Sequence, residues 1–282
     1  MLIDTKRLTL TAVAGAMLVG SAQAGTVAYR NTVLADNPLV YYEFDETSGT
    51  AADNTGSLGA ANDGTHTGTV TVNQASFAQG GTAYDFGGGR VTAAAFSTLT
   101  EWTVEAWINW DPAKNSGSNI FGNDQGGWND DVIFGIRPEG GAAGVPAGHL
   151  GIDQQGAPGT TRDVASVELS DSVWHHVVAT GSDSAGEIKL YVDGVLVDTD
   201  DSLVNDATMN GHQFAVGAAR FTSDAGTRPF DGLIDEFALY GTVLDASTVE
   251  AHYDAGVAPI PEPGSLALLG LGGLLIARRR RG

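Results

Sequence analysis

Two acidic stretches, far apart in the chain, could supply oxygen ligands for a hard cation. One is a loop rich in Gly, Asn, Asp and Thr at Asp53–Gly68, and the other, Asp231–Asp235, lies toward the C-terminal end. Calcium takes about six to eight oxygen ligands from carboxylates, carbonyls and water. We therefore predict a structural calcium ion, with these candidate ligands: Asp53, Asp63, Asp231 and Asp235. A solvated acidic surface is the alternative, because the chain has 34 Asp and Glu residues against 14 Lys and Arg.

A second candidate site lies in Gly122–Asp131, where one large aromatic residue stands among polar side chains. A sugar needs an apolar platform for its C–H face and carboxylate or amide groups for its hydroxyls. Trp128 could be the platform, and Asp124, Asn129 and Asp130 could bind the hydroxyls. The alternative is that Trp128 folds back over the domain, since most tryptophan surface is buried in folded proteins.

Carboxylates could also serve glycoside hydrolysis, for which a retaining enzyme needs two of them about 5–5.5 Å apart. Along a strand, side chains alternate between the two faces. Alternation puts Glu43 and Asp45 on one face and Glu46 on the other, and it makes the neighbours Asp235 and Glu236 face apart. The sequence also has no Gly-x-Ser-x-Gly elbow, phosphate loop or zinc motif. We therefore expect no catalytic residues and no enzyme activity.

Strand and turn patterns dominate the region that would position these residues. In Glu187–Val192, apolar and polar residues alternate with the period of a half-buried strand, and the apolar run resumes at Val195–Val197. The intervening Asp193-Gly194 is a dipeptide typical of a two-residue type I′ hairpin turn. Trp102–Trp110 has bulky residues on both faces and is predicted to be a central strand. The adjacent His175 and His176 would face apart on their strand, so we expect structural roles rather than metal chelation. Together these patterns predict an all-β, two-sheet antiparallel β-sandwich.

One helical pattern interrupts the strands, at Asp245–Gly256. Ser247-Thr248-Val249-Glu250 has the spacing of a capping box, which predicts Ser247 as the N-cap. Gly256 stands where a C-terminal cap would be. We therefore expect one short C-terminal helix.

Several of these segments resemble a known family. Trp174-His175-His176-Val177, followed by Leu190-Tyr191-Val192-Asp193-Gly194, is similar to the laminin G-like domains of the concanavalin A-like lectin/glucanase superfamily. Tyr42-x-Phe44-Asp45-Glu46 and the strand Gly232–Tyr240 with its following helix extend the resemblance over about 37–256. It implies a jelly roll, a calcium ion often shared between an N-terminal loop and the closing strand, and binding of glycans or proteins.

The N-terminal segment has the order of a secretory signal peptide. Lys6 and Arg7 precede an apolar run from Leu8 to Val19, and Ala22-Gln23-Ala24 provides small residues for cleavage. We predict a signal peptide at 1–24. A buried N-terminal helix is the alternative.

The C-terminal segment resembles a PEP-CTERM sorting signal. Pro261-Glu262-Pro263 precedes an apolar run, Leu266–Ala277, and then the cluster Arg278–Arg281. This run is shorter than the ~20 residues that span a bilayer. The resemblance implies an exosortase as the processing partner and transient membrane contact through a tail at 258–282, which leaves one sandwich domain at 25–257. A plain tail anchor is the alternative.

Composition limits the partners. A formal net charge of −20 disfavours nucleic acid and anionic membrane surfaces, and the absence of cysteine excludes disulfides and thiolate chemistry. We expect an exported, non-catalytic module that binds a glycan, an extracellular polysaccharide or a surface protein in the cell envelope or outside the cell. The alternatives are a structural matrix protein without a specific ligand and a glycoside hydrolase or lyase of the same fold.

Overall fold

The computed structural model describes residues 28–77, 81–111, 118–124, 131–136, 148–155, 161–169, 172–201, 207–221 and 228–259. The first half of the chain forms β1 Val40–Tyr42, β2 Ala51–Ala52, β3 Gly64–Thr67, β4 Thr71–Ala75, β5 Thr82–Asp85, β6 Arg90–Ala93, β7 Glu101–Trp110, β8 Ser118–Gly122 and β9 Asp131–Ile136. The second half forms β10 His149–Gln155, β11 Thr161–Glu168, β12 Trp174–Ser182, β13 Glu187–Val192, β14 Val195–Asp200, β15 Phe214–Val216 and β16 Gly232–Tyr240. Two α-helices, α1 at 28–35 and α2 Ala246–Val257, flank the strands.

The strands form two antiparallel sheets, as the sequence predicts. Sheet A has the order β14-β13-β12-β7-β16-β5-β4, with β1 also paired to β16. Sheet B has the order β11-β10-β9-β8-β15-β6-β3-β2. The prediction of a central strand is confirmed, because β7 lies between β12 and β16 and is buried on both faces.

The main core lies between the sheets and follows the alternation of the strands. Ile188 and Leu190 point into it from β13, and Trp102 from β7 is completely buried there. The Trp102 indole N–H donates to the Ala207 carbonyl at 2.6 Å, so its one polar group is satisfied. The core therefore fixes the register of both sheets.

The predicted hairpin joins β13 to β14. Asp193 and Gly194 have φ of 50° and 77°, the left-handed conformations that a type I′ turn requires. The Asp193 carboxylate accepts a hydrogen bond from the backbone N–H of His176 and contacts the ring of His175 at 2.8 Å. His175 and His176 thus have different partners, in agreement with the structural roles predicted for them.

A second apolar layer covers the outer face of sheet A. The two helices and the segment 76–77 contribute to it, and Phe77 stacks on Trp107 with ring centroids 4.2 Å apart. Helix α1 is not predicted from the sequence; its Tyr29 and Val33, one helical turn apart, are both completely buried. The outer face of sheet A therefore forms a second buried interface, with the two helices and the segment 76–77.

Helix α2 is predicted correctly, but its cap is not Ser247. Asp245 is the N-cap, and its carboxylate accepts the backbone N–H of Thr248 at 2.8 Å. Ser247 already lies in the first turn and donates its hydroxyl to Asp245. A carboxylate at this position also interacts favourably with the helix dipole.

Across the described ranges, no helix has the length and apolar character needed to cross a membrane.

Candidate functional site

The end of β8 carries the one residue of the predicted sugar site that the structure describes. Asp124 is only 2% exposed, and Arg220 donates to its carboxylate at 2.6 Å. Its backbone N–H also bonds to the Ala219 carbonyl, at 3.2 Å. Asp124 therefore fixes the start of the 125–130 connection. The other three predicted residues, Trp128, Asn129 and Asp130, lie outside the described residues.

Asn123 ties together both ends of that connection. Its side-chain oxygen accepts the backbone N–H of Val132 at 2.7 Å, and its amide N–H donates to the Asn210 carbonyl at 2.8 Å. Gly122 lies so close to the backbone of Ala219 that a Cβ on Gly122 would be 2.2 Å from the Ala219 oxygen. We call Gly122–Asp124 with Arg220 the loop base; it holds six consecutive residues, Trp128 among them, between fixed ends.

An acidic pocket of about 240 Å³ is the second candidate site. Its walls are Glu43, Asp45, Glu46, Asp53 and Thr55. The prediction that Glu46 points away from Glu43 and Asp45 is wrong. β1 ends at Tyr42 and Phe44 has a φ of 51°, so the alternation of a strand does not continue through these residues.

Most carboxylates of the pocket already have partners. Arg30 of α1 donates to both oxygens of Glu43, at 2.8 and 2.9 Å. Glu46 accepts the backbone N–H of Asp53 and the hydroxyl of Tyr84, both at 2.7 Å. Asp45 accepts the backbone N–H of Thr82 at 2.6 Å.

Beside this pocket, Asp235 and Glu236 form a buried acidic pair on the outer face of sheet A. The prediction that they face apart is wrong, because a bulge between Asp235 and Ala238 interrupts the pairing with β7, and Glu236 has a φ of 51°. Both side chains consequently reach the outer layer, where Ser76 donates to Asp235 and Tyr41 donates to Glu236.

This pair is electrostatically costly. Burial raises the pKa of Asp235, and the charge of Asp45 raises it further. Burial and the charge of Asp235 raise the pKa of Glu236, whose Oε1 has no hydrogen-bond partner. Both groups thus resist ionisation in the folded protein.

A third group of ionisable side chains centres on Glu105, which is completely buried on the outer face of β7. Burial alone would raise the pKa of Glu105, but the charge of His252 and hydrogen bonds from His176 and His252 outweigh it and lower this pKa well below its ordinary value. Four side chains donate to this carboxylate, at 2.8 to 3.2 Å: Tyr29, His176, Tyr240 and His252.

His252 of α2 links its helix both to β7, through Glu105, and to the end of α1, through Asp36. Its Nδ1 lies 3.0 Å from both oxygens of Glu105, and its Nε2 lies 2.9 Å from Asp36, which directly follows α1. Burial disfavours the charged imidazolium, but the charge of Glu105 and the hydrogen bonds to Glu105 and Asp36 raise the pKa of His252 to about 9. We call Glu105, His176, His252 and Asp36 the helix-docking cluster.

The four predicted calcium ligands do not converge. Asp53 lines the acidic pocket, whereas Asp63 accepts the backbone N–H of Asn54 at 2.9 Å. Asp231 and Asp235 are four residues apart, about 13 Å along an extended chain. Within the described residues, no group of three or more Asp, Glu or His could hold a metal ion.

Comparisons of the sequence give two matches. Residues 84–250 match the concanavalin A-like lectin/glucanases superfamily, and residues 259–281 match the PEP-CTERM protein-sorting motif. No curated protein sequence matches the chain.

Solved structures with a similar fold include single domains of other proteins. Domain 4 of AbnA, a GH43 extracellular arabinanase from Geobacillus stearothermophilus, in complex with arabinotriose, is 20% identical with a TM-score of 0.56; the match covers 77% of this chain and 98% of that domain. The binding domain of botulinum neurotoxin DC is 13% identical in its complex with SialylT (TM-score 0.57) and 14% identical in its complex with rat synaptotagmin II (TM-score 0.56). The match covers 80% of this chain and 53% of each neurotoxin chain, so the chain spans about half the length of those domains.

These likenesses agree with the two antiparallel sheets of the structure and with the sequence resemblance. The family match covers more than half of the chain, from β5 to α2. The chain belongs to the concanavalin A-like lectin/glucanases superfamily.

Proposed function

We propose that this protein is an exported, non-catalytic binding module that recognises a glycan of the cell envelope or of an extracellular polysaccharide matrix. The observation that carries the proposal is the loop base. Asn123, Asp124 and Arg220 hold the ends of the connection that contains Trp128, Asn129 and Asp130. A fixed base lowers the conformational entropy lost when a loop orders around a ligand.

The chemistry of the loop favours a sugar over a charged partner. Its sequence, Gln-Gly-Gly-Trp-Asn-Asp, combines an aromatic platform with amide and carboxylate groups. At the level of fold, AbnA domain 4 with arabinotriose and the neurotoxin domain with SialylT support a sugar, whereas the synaptotagmin complex supports a protein partner.

Among the described residues, three of the carboxylates considered for glycoside hydrolysis have other partners. Glu43 is paired with Arg30, and Asp235 and Glu236 are buried beneath Ser76 and Tyr41. A buried carboxylate cannot protonate a glycosidic oxygen unless the substrate reaches it. This arrangement supports a binding role without catalysis.

The two terminal segments support export and sorting of the protein. The PEP-CTERM motif at 259–281 supports sorting through a membrane-bound exosortase, and the signal-like order of residues 1–24 supports export. The tail would then contact the membrane only until it is processed.

Calcium remains part of the proposal as a structural ion. Asp53 is the predicted ligand that lines the acidic pocket, and carboxylates are preferred calcium ligands. Bound calcium would also offset the mutual repulsion of the carboxylates that line the pocket.

Affinity electrophoresis against a panel of soluble polysaccharides tests the proposed function. We expect one polysaccharide class to retard the full chain saturably, Trp128→Ala to abolish the retardation, and Trp174→Phe on β12 to leave it unchanged. Equal retardation of the two variants would remove the loop as the site. The absence of retardation would favour a structural matrix protein, and the release of reducing ends would favour a hydrolase.

A further inference from the structure

Most of the exposed large hydrophobic residues of the described chain lie around the C-terminal half of helix α2. Among the described residues six such side chains are exposed, and five of them belong to this group: Val173, Val195, Leu196, Val197 and Val257. Their exposed fractions run from 37% to 62%. Single exposed apolar residues are ordinary on a protein surface, whereas a cluster of them marks a contact site. We call these five residues the α2-end patch.

The hairpin that begins β14 brings three of the five residues to α2. A Cβ on Gly194 would be 3.1 Å from the Cβ of Tyr253, so the turn touches the helix one residue before Val195. Leu196 pairs with Tyr191, which lies in the outer layer of sheet A. Strand β14 itself is contacted by β11 and by α2. Its apolar side chains are therefore exposed beside the helix, although its edge is partly covered.

The other two residues border the same helix. Trp174, directly after Val173, packs in the outer layer together with Tyr253 and Ala255 of α2. Val257 is the last residue of α2 and stands four residues after Tyr253, on the same side of the helix. The patch thus surrounds the point at which the chain leaves the domain for the C-terminal tail.

The short connection to the tail restricts how the domain lies on a membrane. Residues 258–265 separate α2 from the apolar run Leu266–Ala277, and a connection of this length spans at most about 29 Å. A domain of about 230 residues has a diameter of about 45 Å. While the apolar run contacts the bilayer and the arginines behind it stay on the far side, the face around the end of α2 is the one held nearest to the lipid.

The side chains beside the patch select the kind of lipid. Glu250 and Asp254 of α2 are exposed, and Asp193 lies in the hairpin turn. Anionic headgroups would repel these carboxylates, whereas zwitterionic headgroups carry no net charge. Trp174 and Tyr253, at the border of the patch, are of the two residue types that are enriched at membrane–water interfaces. A second copy of the chain is disfavoured as the occupant, because two chains of net charge −20 repel each other.

We propose that the α2-end patch contacts a zwitterionic lipid surface while the tail is in the membrane. The contact removes the patch from water and orients the domain so that residues 258–265 face the enzyme that processes the tail. Removal of the tail ends the contact, because a small apolar surface alone binds a bilayer only weakly. This inference rests on the sorting part of the proposed function and not on glycan binding.

Quenching of single fluorescent labels tests the proposal, because the chain has no cysteine of its own. Thr199→Cys carries the label two residues beyond the patch on β14, and the control Ala75→Cys carries it on β4. Both sites are exposed, and they lie on the two terminal strands of sheet A, six strand spacings or about 29 Å apart. The full chain is inserted through its tail into phosphatidylcholine vesicles whose lipids carry a quencher at the headgroup.

We expect a loss of emission from the label at Thr199 and no loss from the label at Ala75. Adding Val195→Ser with Leu196→Ser to the Thr199→Cys protein should restore its emission. The matched control Leu58→Ser, at the sixth exposed hydrophobic residue, should leave the quenching unchanged. Equal quenching at the two labelled sites, or quenching that is insensitive to the paired serine substitutions, would overturn the proposal.

Two further outcomes would also overturn it. Quenching that occurs only in vesicles with several copies of the chain would assign the patch to a second copy. Failure of the full chain to float with the vesicles would remove the tail insertion on which the inference rests. Neither outcome bears on glycan binding, which the polysaccharide panel measures separately.

Discussion

His252→Gln tests most directly whether the helix-docking cluster holds both helices on sheet A. His252 is completely buried, and its imidazolium lies between Glu105 on β7 and Asp36 beside α1. Glutamine can keep a hydrogen bond but carries no charge. The substitution therefore removes the titration of this group while it retains a polar side chain.

The magnitude follows from the pKa of His252, which rises from its ordinary value of 6.5 to about 9 in the folded protein. Each pKa unit corresponds to about 1.4 kcal/mol, so the raised pKa contributes roughly 3 kcal/mol to the free energy of unfolding. Because the folded pKa is the higher one, this contribution is complete below about pH 6.5 and is lost as the pH rises through about 9. Stability should thus decline across this window.

Urea unfolding at pH 6 and at pH 9.5, followed by tryptophan fluorescence, measures the effect. Trp107 stacks on Phe77 and on Tyr253 of α2, so its emission reports release of the helix layer. Wild type should lose about 3 kcal/mol more than His252→Gln between these pH values. The control is His66→Gln on β3 of sheet B, where the His66 ring contacts the Gly49 carbonyl. This variant should keep the wild-type decline. Parallel declines in wild type and His252→Gln would refute the reasoning.

Three further predictions concern neighbouring features. Glu236→Gln should raise the free energy of unfolding at pH 7 by about 1–3 kcal/mol, because the raised pKa of Glu236 makes its ionisation costly in the folded protein. This gain should vanish near pH 3, below the ordinary pKa of a glutamate, because the carboxyl group is then mostly neutral in both states. A loss of stability at pH 7 in urea unfolding would contradict the prediction. Tyr29→Phe should lower the free energy of unfolding by about 1–3 kcal/mol in the same assay. The reason is that the Tyr29 hydroxyl donates to Glu105 and accepts the Trp107 indole N–H at 2.9 Å. The control Tyr253→Phe should lower it by less than about 1 kcal/mol. Calcium at about 100 times its dissociation constant should raise the free energy of unfolding by about 2.7 kcal/mol. A chelator should remove this effect, and Asp53→Asn should reduce it. Identical melting curves in calcium and in chelator would exclude a structural calcium ion.

The features that sequence analysis predicted correctly rest on local patterns. Asp193-Gly194 specifies its turn because few dipeptides adopt left-handed conformations at both positions. The bulky residues on both faces of β7 identify a strand buried on both sides. The Asp245–Gly256 pattern identified α2, although the cap was assigned two residues too late.

The features that it missed depend on contacts between distant parts of the chain. Glu105 and His252 are 147 positions apart, and Asp124 and Arg220 are 96 apart, so no local pattern links them. The bulge that places Asp235 and Glu236 on one face has no composition signal. Helix α1 does have a sequence signal, since Tyr29 and Val33 stand at helical spacing. A helix this short nevertheless depends on tertiary packing, which the local sequence does not show.

A glycan array probed with the full chain, in calcium and in chelator, tests the central claim most directly. The proposed function predicts saturable binding to a defined class of sugar, lost in Trp128→Ala while its unfolding curve stays that of wild type. Absence of binding to any glycan in either condition, or unchanged binding by Trp128→Ala, would contradict the assignment of a sugar site to the loop that contains Trp128.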